Sequence, residues 1–260
     1  ALQKDGYHIT AVTNKGYCLL PDNDIVSAES IKPYLRNQAK DFQLKVYQSV
    51  TSTNTVAKEL ASQGAKAGTV IIAKEQTQGR GRMGRSFYSP SSTVSGRKAK
   101  IKWVNDIFVD GKKVCGILTE ASMNFESGSL EYAVVGIGIN ILPKDFPEEI
   151  TKVAGSVFSE KPSDAPVISH LVAEVLNNMA ECMNQITDKR YLDDYRSQSF
   201  LIGQDILVIK DGSKIPAKAI EIDDKARLVV EYSDKSKEAL SSGEVSVRPI
   251  PRKAEESASL

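Results

Sequence analysis

The sequence predicts an α+β protein in which a mixed sheet with helices is followed by a small β-barrel. Residues 53–63 and 163–186 have the apolar spacing of helices, and residues 190–198 continue as another helix. Ser27 can cap a short helix through Leu35, and the helix at 53–63 should be capped near Ser52 or Thr53 and end at Gly64. Asp110-Gly111 predicts a turn between two strands. Runs of β-branched and alternating apolar residues predict strands at 43–49, 69–73, 101–104, 107–109, 114–121 and 132–139, and the strand at 69–73 is expected to be buried. After Gly203 the pattern changes to short strands separated by turns, which is typical of a small all-β unit.

The chain of 260 residues is long enough for two compact units. Residues 23–200 contain the predicted mixed sheet and helices, and residues 201–251 contain the β unit. Residues 252–260 form a polar tail that we expect to be frayed. Ahead of both units, residues 1–22 include a hairpin with its turn at 14–16. Because the first residue is Ala1, we expect the chain to begin partway into a longer product.

Bulk composition indicates an ordinary globular protein, with 41% hydrophobic and 26% charged residues. The formal net charge is +1, so any binding of phosphate or nucleic acid must come from local clusters. Apolar runs are far shorter than the roughly 20 residues that span a bilayer, and no leader resembles a signal peptide. We therefore expect no membrane partner.

Cysteine and histidine are too few and too scattered to suggest a metal site. Cys18, Cys115 and Cys182 are an odd set without a CxxC pair, which indicates reduced thiols in a cytoplasm. The two histidines are His8, in a strand-like stretch, and His170, which we expect on a helix surface. We assign neither metal ligands nor a catalytic histidine.

A loop of glycines and arginines at 79–85, GRGRMGR, has the chemistry of an anion site. Glycine lets the backbone approach an anion, and arginine donates to phosphate and carboxylate oxygens. For an isolated run of this kind, a solvated basic loop is the more common explanation. The spacing of Gly79, Gly81 and Gly84 also fits a dinucleotide fingerprint. That motif needs a helix directly after the glycines, and residues 86–90 (SFYSP), aromatic and then interrupted by proline, do not predict one.

Four further motifs are ordinary when taken singly. They are STN at 52–54, KWVND at 102–106, KVCGILTE at 113–120 and GIGIN at 136–140. In this order, and with Gln76 and the arginine loop, they resemble the biotin–protein ligases. That family has STN, Q-x-x-G-R-G-R-x-G-R, K-W-P-N-D, K-x-x-G-I-L-x-E and G-x-G-I-N in succession. The resemblance covers nearly the whole chain.

The resemblance implies an ATP-dependent ligase of the biotin–[acetyl-CoA-carboxylase] type. Such enzymes join the biotin carboxylate to the α-phosphate of ATP, which forms biotinyl-5′-adenylate and releases pyrophosphate. A lysine of a biotin carboxyl carrier protein then attacks the mixed anhydride, without a covalent enzyme intermediate. Mg²⁺ is expected with ATP, held largely by phosphates and water.

The same resemblance implies the site residues. Lys113, Arg80 and Arg82 are the expected catalytic residues, with Lys113 bridging the biotin carboxylate and the α-phosphate. The expected ligand-binding residues are Ser52, Thr53, Asn54, Gln76, Gly79, Arg80, Gly81, Arg82, Arg85, Asn105, Asp106, Lys113, Gly116, Gly138 and Asn140. Residues 52–54 and Gln76 should line the biotin pocket at its ureido end, and residues 80–82 should close over biotin and the adenylate phosphate. Gly116 and Gly138 should leave room for ligand, and Asn105, Asp106 and Asn140 should lie on the adenylate or metal side.

The chain departs from the family pattern between Pro90 and Lys102. The family places a strand and a long helix there, and this chain has only residues 91–101. The shortfall is one strand–helix unit, on the order of 30 residues, near 93–94. Either the protein lacks this unit or the sequence at hand omits it, and we favour omission. Smaller departures are Met83, Phe87 and Val104, which replace a frequent arginine, tryptophan and proline.

Both ends of the chain also resemble parts of the family. Residues 1–22 resemble the wing remnant of a winged helix–turn–helix, and residues 243–248 resemble the C-terminal SH3-like domain. In bifunctional members the winged domain represses transcription, so operator DNA and a homodimer are expected partners of a longer parent protein. Two alternatives stay open: a non-enzymatic biotin-sensing repressor module, and a relative that activates lipoate.

Overall fold

The computed structural model of the chain divides into two units, residues 1–99 with 105–188 and residues 100–104 with 189–260. It describes residues 9–19, 25–79, 97–143, 145–160, 162, 167–184, 187, 189, 191–210, 213–241 and 246–249. Within these ranges no helix is long and apolar enough to cross a membrane. The predicted domain boundaries at 22, 200 and 251 stay predictions. The expected gap near 93–94 and the tail 252–260 lie outside the described residues.

The first unit opens with the predicted hairpin of β1 (Ile9–Val12) and β2 (Gly16–Leu19). The strands are antiparallel, with Val12 opposite Gly16. Asn14 and Gly16 turn the chain with positive φ angles of 61° and 90°, which these residue types adopt readily. The hairpin is confirmed, whereas its role as a wing stays a prediction.

Helix α1 (Ala28–Ile31) begins where Ser27 was predicted to cap it. The Ser30 amide donates to Ser27 Oγ at 3.1 Å, and the Ser27 amide donates to Ser30 Oγ at 2.9 Å. This reciprocal pair satisfies two amides at the start of the helix. The predicted helix through Leu35 is shorter than expected, because Pro33 follows and the chain continues as 3₁₀ turns at Lys32–Tyr34 and Asn37–Asp41.

A parallel βαβ arrangement follows, made of β3 (Gln43–Val50), α2 (Thr53–Ser62) and β4 (Thr69–Gln76). The two strands pair along their whole length, with Val50 opposite Gln76. Gly64, with φ of 82°, follows the end of α2 as predicted. Because α2 begins directly after β3, its first turn and the end of β4 meet at the carboxyl edge of the strands. Ligands bind at this edge in many α/β proteins.

An antiparallel sheet of β6 (Asp106–Val109), β7 (Lys112–Met123) and β8 (Leu130–Ile139) completes the strands of the first unit. The predicted turn at Asp110 and Gly111 joins β6 to β7 with φ angles of 49° and 74°, a pair of positive angles that suits a two-residue hairpin loop. After β8 comes a short helix, α3 (Glu148–Thr151), and then the long helix α4 (Val167–Asn184).

Helix α4 packs against the segment before β3 to form the core of the first unit. Its buried residues Ala173, Leu176 and Ala180 contact a cluster of Val26, Ile31, Leu35 and Ala39. Asn177 joins the two parts: its Oδ1 accepts from the Arg36 amide at 2.7 Å, and its Nδ2 donates to Tyr34 O at 3.0 Å. A buried amide is tolerated here because both ends of the group are hydrogen-bonded.

The second unit contains most of β5 (Ala99–Lys102), helix α5 (Tyr191–Gln198) and a five-stranded antiparallel sheet. The sheet is made of β9 (Asp205–Lys210), β10 (Ser213–Ile222), β11 (Leu228–Tyr232), β12 (Lys237–Leu240) and β13 (Ser246–Pro249). Its strand order is β12-β11-β10-β9-β13. The all-β unit is therefore confirmed, and its description as an SH3-like barrel stays a prediction.

Trp103, the only tryptophan of the chain, lies in the core of the second unit. Its side chain is 4% exposed, and its indole N–H donates to Ala226 O at 2.9 Å. Around it pack Leu201, Ile206 and Val208, all fully buried. The KWVND motif is thus divided between the units, since Trp103 belongs to the second and Asn105 to the first.

This core predicts how the second unit responds to truncation. Ile206 is fully buried in the Trp103 cluster, so Ile206→Ala should lower the free energy of unfolding by about 2–5 kcal/mol. Urea titration followed by Trp103 fluorescence measures the change. Ile215, which is 37% exposed, is the matched control, and Ile215→Ala should cost less than about 1 kcal/mol. Equal shifts for the two variants would contradict this description of the core.

Candidate active site

Thr53 and Gln76 meet at the carboxyl edge of the parallel strands. Gln76 Oε1 accepts from the Thr53 amide at 2.8 Å and from Thr53 Oγ1 at 3.1 Å. The bond to the amide satisfies one of the N–H groups that the first turn of a helix leaves unbonded. Two residues predicted for one pocket, far apart in the sequence, are therefore in contact. Gly79 lies nearby, because a Cβ placed on it would be 3.6 Å from Gln76 Nε2.

Ser52 occupies the N-cap position of α2 but its hydroxyl makes no capping hydrogen bond. The residue is 2% exposed and has extended backbone angles. Its carbonyl accepts from the Val56 amide at 3.1 Å, which starts the helix. The predicted cap position is thus confirmed, while the side-chain capping of the first turn comes from Gln76 instead.

Asn54 is buried against the antiparallel sheet, with 5% of its surface exposed. Its Nδ2 donates to Glu120 Oε2 at 2.7 Å, and Lys58 Nζ donates to Glu120 Oε1 at 2.8 Å. Gly136 lies directly beneath, because a Cβ there would be 2.1 Å from Asn54 Oδ1. Only glycine permits this approach. Glu120, Lys58 and Gly136 were not predicted as site residues, although Glu120 and Gly136 stand within the quoted motifs.

One face of the antiparallel sheet carries most of the predicted ligand residues of β6, β7 and β8. Asp106 pairs with Gly116, and Gly116 pairs with Gly138. Residues directly opposite each other, and residues two apart on a strand, share a face. Gly116, Gly136 and Gly138 thus leave part of this face without side chains, while Leu118, opposite Gly136, places an apolar side chain on it between Gly116 and Glu120.

Lys113 lies at one end of this face. Its Nζ is 2.7 Å from Asp106 Oδ1, and each side chain is 25% exposed. A bulge at Val114 lies between the pairs Cys115–Ile107 and Lys113–Phe108. Such a bulge interrupts the alternation of side chains and re-aims the neighbouring residue. The Lys113 backbone is also held on its other side, since its amide donates to Val153 O at 2.7 Å and its carbonyl accepts from Gly155 N at 2.9 Å.

Asn105 and Asn140 lie close to this end of β7. The Asn105 side chain donates through Nδ2 to Ile117 O at 2.6 Å, and its backbone carbonyl accepts from the Ile117 amide at 2.9 Å. Asn140 extends the pairing of β8, with its amide donating to Val114 O at 3.0 Å. Asn105 therefore supports the strand at Ile117, which is a structural role that the motif did not indicate.

The arginine loop cannot be compared with this geometry. The predicted site residues Arg80, Gly81, Arg82 and Arg85 lie outside the described residues. In the part of the chain that the structure does describe, no group of three or more His, Cys, Asp or Glu side chains could hold a metal ion. His170 lies on α4, as predicted, with its ring stacked on Tyr34 at 5.0 Å and its side chain 46% exposed.

Comparisons with known proteins place the chain in a family. Residues 46–95 and 91–140 match the model of the biotin/lipoate A/B protein ligase family. Over 273 aligned positions, the chain is 30% identical to the bifunctional ligase/repressor BirA of Bacillus subtilis (strain 168), with 90% of this chain and 83% of that protein covered. The chain belongs to the biotin/lipoate A/B protein ligase family. It is therefore a ligase, as the motifs predicted.

Two further comparisons agree with the family assignment. The biotin–[acetyl-CoA-carboxylase] ligase of Mycobacterium tuberculosis is 26% identical, with 75% of this chain and 85% of that protein covered. The structure of the Aquifex aeolicus biotin protein ligase in complex with biotin and ATP matches with a TM-score of 0.64, at 22% identity, over 80% of this chain and 99% of that one. This likeness confirms the predicted mixed helix-and-sheet fold.

The alignment with the B. subtilis ligase also bears on the expected strand–helix shortfall. Because 90% of 260 residues is about 234, about 39 of the 273 aligned positions fall opposite gaps in this chain. The family model matches in two pieces that meet at 91–95. The number of gap positions is close to the size of the expected shortfall, and the missing segment itself stays a prediction.

Cys115 lies beside the Lys113–Asp106 pair, and its environment makes it inert. The residue is 2% exposed. Burial raises the pKa of the Cys115 thiol well above its usual range, and the negative charge of Asp106 adds to the effect. Because the thiolate is the nucleophilic form, Cys115 is protonated and unreactive at neutral pH. The site therefore offers no cysteine nucleophile.

This environment predicts selective labelling of the three cysteines. Iodoacetamide at pH 8 should modify Cys18 and Cys182, which are exposed, and leave Cys115 intact until urea unfolds the chain. At pH 9 the raised pKa and the burial of Cys115 should still keep it unmodified. Peptide mass spectrometry over time measures each site. Labelling of Cys115 at a rate comparable with the exposed thiols would overturn this assignment.

Proposed function

We propose that this ligase activates biotin with ATP and transfers it to a lysine of a biotin carboxyl carrier protein. Biotinyl-5′-adenylate would be the intermediate, and pyrophosphate and AMP the leaving groups of the two steps. The proposal rests on one observation: the glycine-lined sheet face has a lysine–aspartate pair at one end and a buried carboxamide at the other.

The two ends of this face suit the two ends of biotin. Gly116 and Glu120 are four residues apart on β7, which is about 13 Å at the usual rise of a strand. A ligand with a carboxylate at one end and a cyclic urea at the other would place its carboxylate near Lys113 and its urea near Asn54. Between these ends the glycines would leave space for its apolar chain and ring, and Leu118 would offer an apolar contact.

The polar end of the face favours biotin over lipoate, the acid that the alternative relative would activate. Asn54, Thr53 and Gln76 offer hydrogen-bonding groups at the start of α2. A urea has N–H donors and a carbonyl acceptor that can pair with them, whereas the dithiolane of lipoate has neither. Asn54 is buried, and a buried polar group that the wrong ligand leaves unpaired costs binding free energy, so the site should reject lipoate.

Lys113 would act in the first step by reducing charge repulsion. The biotin carboxylate and the α-phosphate are both anions, and the carboxylate oxygen must approach phosphorus as the bond to pyrophosphate breaks. An ammonium positioned between them stabilises the charge of the transition state. Asp106 holds Lys113 at 2.7 Å, so the lysine is positioned before the ligands arrive. Arg80 and Arg82 of the glycine–arginine loop are proposed as further phosphate donors.

In the second step the acceptor lysine would attack the carbonyl of the mixed anhydride directly, with AMP as the leaving group. The site needs to bind and orient the adenylate and to exclude water, and it needs no nucleophile of its own. This agrees with the buried, protonated Cys115 and with the position of His170 on the surface of α4.

Magnesium would accompany ATP, and the residues fit an ion held mainly by the nucleotide. The described residues contain no cluster of carboxylates around the site, and Asp106 is the carboxylate beside Lys113. Mg²⁺ commonly keeps several waters and binds through one or two carboxylates plus phosphate oxygens. Asp106 is the residue that would hold it, and the ion would supply charge neutralisation of the phosphates.

The decisive variant is Lys113→Ala. With biotin, Mg·ATP and a biotin carboxyl carrier domain, the wild-type chain should add one biotinyl group to the acceptor, measured by intact mass. Lys113→Ala should slow this by roughly 100-fold, equivalent to about 3 kcal/mol of transition-state stabilisation. Lys112→Ala is the matched control, because Lys112 is exposed on the same strand and donates only weakly, to Thr151 O at 3.3 Å. An equal loss in both variants would reject the role of Lys113.

A second candidate function, binding of operator DNA by a longer parent protein, is supported by the β1–β2 hairpin and by the ligase/repressor relatives. The hairpin carries Lys15 at its turn and Tyr17, which is 85% exposed, in β2. If it contacts phosphates, Lys15→Ala should weaken operator binding and lower the slope of log affinity against log salt by about one. Fluorescence anisotropy with biotin and ATP present measures this. An unchanged slope would exclude Lys15 as a phosphate contact.

A further inference from the structure

We propose that Glu120 is a positioning residue that fixes the orientation of the Asn54 carboxamide so that its oxygen faces an N–H donor of the bound ligand. This inference rests on the proposed function and deepens it, because it names how the site would recognise a cyclic urea.

The chemistry of the Asn54–Glu120 contact determines which way the carboxamide points. An ionised carboxylate only accepts hydrogen bonds, so the atom of Asn54 that lies 2.7 Å from Glu120 Oε2 must be the nitrogen. Among the described residues, the hydrogen bonds recorded for the Asn54 side chain use Nδ2 alone. Oδ1 is therefore the group that Asn54 offers to a ligand, and it is an acceptor.

Gly136 and Lys58 restrict this arrangement from two sides. A Cβ at position 136 would be 2.1 Å from Asn54 Oδ1 and 2.7 Å from its Cγ, so the carboxamide lies flat on the backbone of β8. Lys58, one turn along α2 from Asn54, holds the second oxygen of Glu120 at 2.8 Å. The carboxylate is thus anchored through one oxygen while the other holds Asn54.

A simple structural role is the rival explanation, in which the Lys58–Glu120 pair only attaches α2 to the sheet. Both side chains are about a third exposed, at 31% and 29%, and such ion pairs contribute little to stability. The substitution Glu120→Gln separates the two explanations. Glutamine keeps an oxygen that can accept from Asn54, so the positioning of Asn54 is preserved, but it lacks the negative charge that pairs with Lys58, so the ion pair is removed.

The experiment measures KM for biotin, KM for ATP and kcat by pyrophosphate release in the full chain. Glu120→Ala should raise the KM for biotin about tenfold, which is the size expected for one misplaced hydrogen bond, with less than about a twofold change in the KM for ATP. Glu120→Gln should stay within about twofold of wild type. The matched control is Glu131→Ala, which removes another sheet carboxylate, one that accepts from Ser122 Oγ at 2.7 Å, and should leave all three constants unchanged.

A double-mutant cycle tests whether Glu120 acts through Asn54. In an Asn54→Ala background, Glu120→Ala should change the KM for biotin by less than about twofold, because the group that it orients is gone. Multiplicative effects of the two substitutions would overturn the proposal. So would a Glu120→Ala variant that loses affinity for biotin and ATP alike, with a lower melting temperature by circular dichroism. A wild-type chain that forms no biotinyl-adenylate would instead reject the proposed function itself.

Discussion

The close approach of Asn54 to Gly136 is the contact on which the arrangement of the site depends. It joins the parallel βαβ arrangement to the antiparallel sheet, at a point where any side chain on β8 would collide with the carboxamide. Glycine in a strand usually weakens it. Here the lower stability of the strand is offset by the first turn of α2, in which Thr53 is hydrogen-bonded to Gln76 and Asn54 to Glu120.

The opposite end of the site depends on an irregularity of the backbone. In a regular strand, Lys113 and Gly116 would point to opposite faces, since they are three residues apart. The bulge at Val114 adds one residue to β7 and allows the Lys113 ammonium to reach Asp106 on the glycine face. Lys113 pairs with Phe108 of β6 on one side and with Ala154 on the other, so the backbone at the bulge is held from both sides. Catalysis that depends on positioning the reacting groups requires rigid support of this kind.

Local signals in the sequence predicted most of the elements but not the contacts between them. The turn at Asp110-Gly111, the capped start at Ser27 and the end of α2 near Gly64 each depend on one or two residues, and all three are present. The Asn54–Glu120 bond joins residues 66 positions apart, and no periodicity reports such a distance. Trp103 shows the limit most clearly. It was noted as part of a ligase motif, yet its side chain fills the core of the second unit.

The exposure of strand β4 bears on the strand–helix unit that the family pattern places between Pro90 and Lys102. Its residues 69–73, TVIIA, were predicted to be a buried strand because the run is continuous and apolar, as in sheets covered on both faces. The prediction was wrong for this structure, in which all five are only half-buried. The described sheets explain why: β3 and β4 form a two-stranded pair, and β8 is an edge of the other sheet. Among the described strands β4 pairs with β3 alone, and a strand and a covering helix inserted between Pro90 and Lys102 would supply a second neighbour. A protein without them would expose an apolar strand at an open edge, which favours association with other chains. The apolar composition of β4 is the one expected for a strand covered on both faces, so the strand–helix unit stays a prediction that this composition favours.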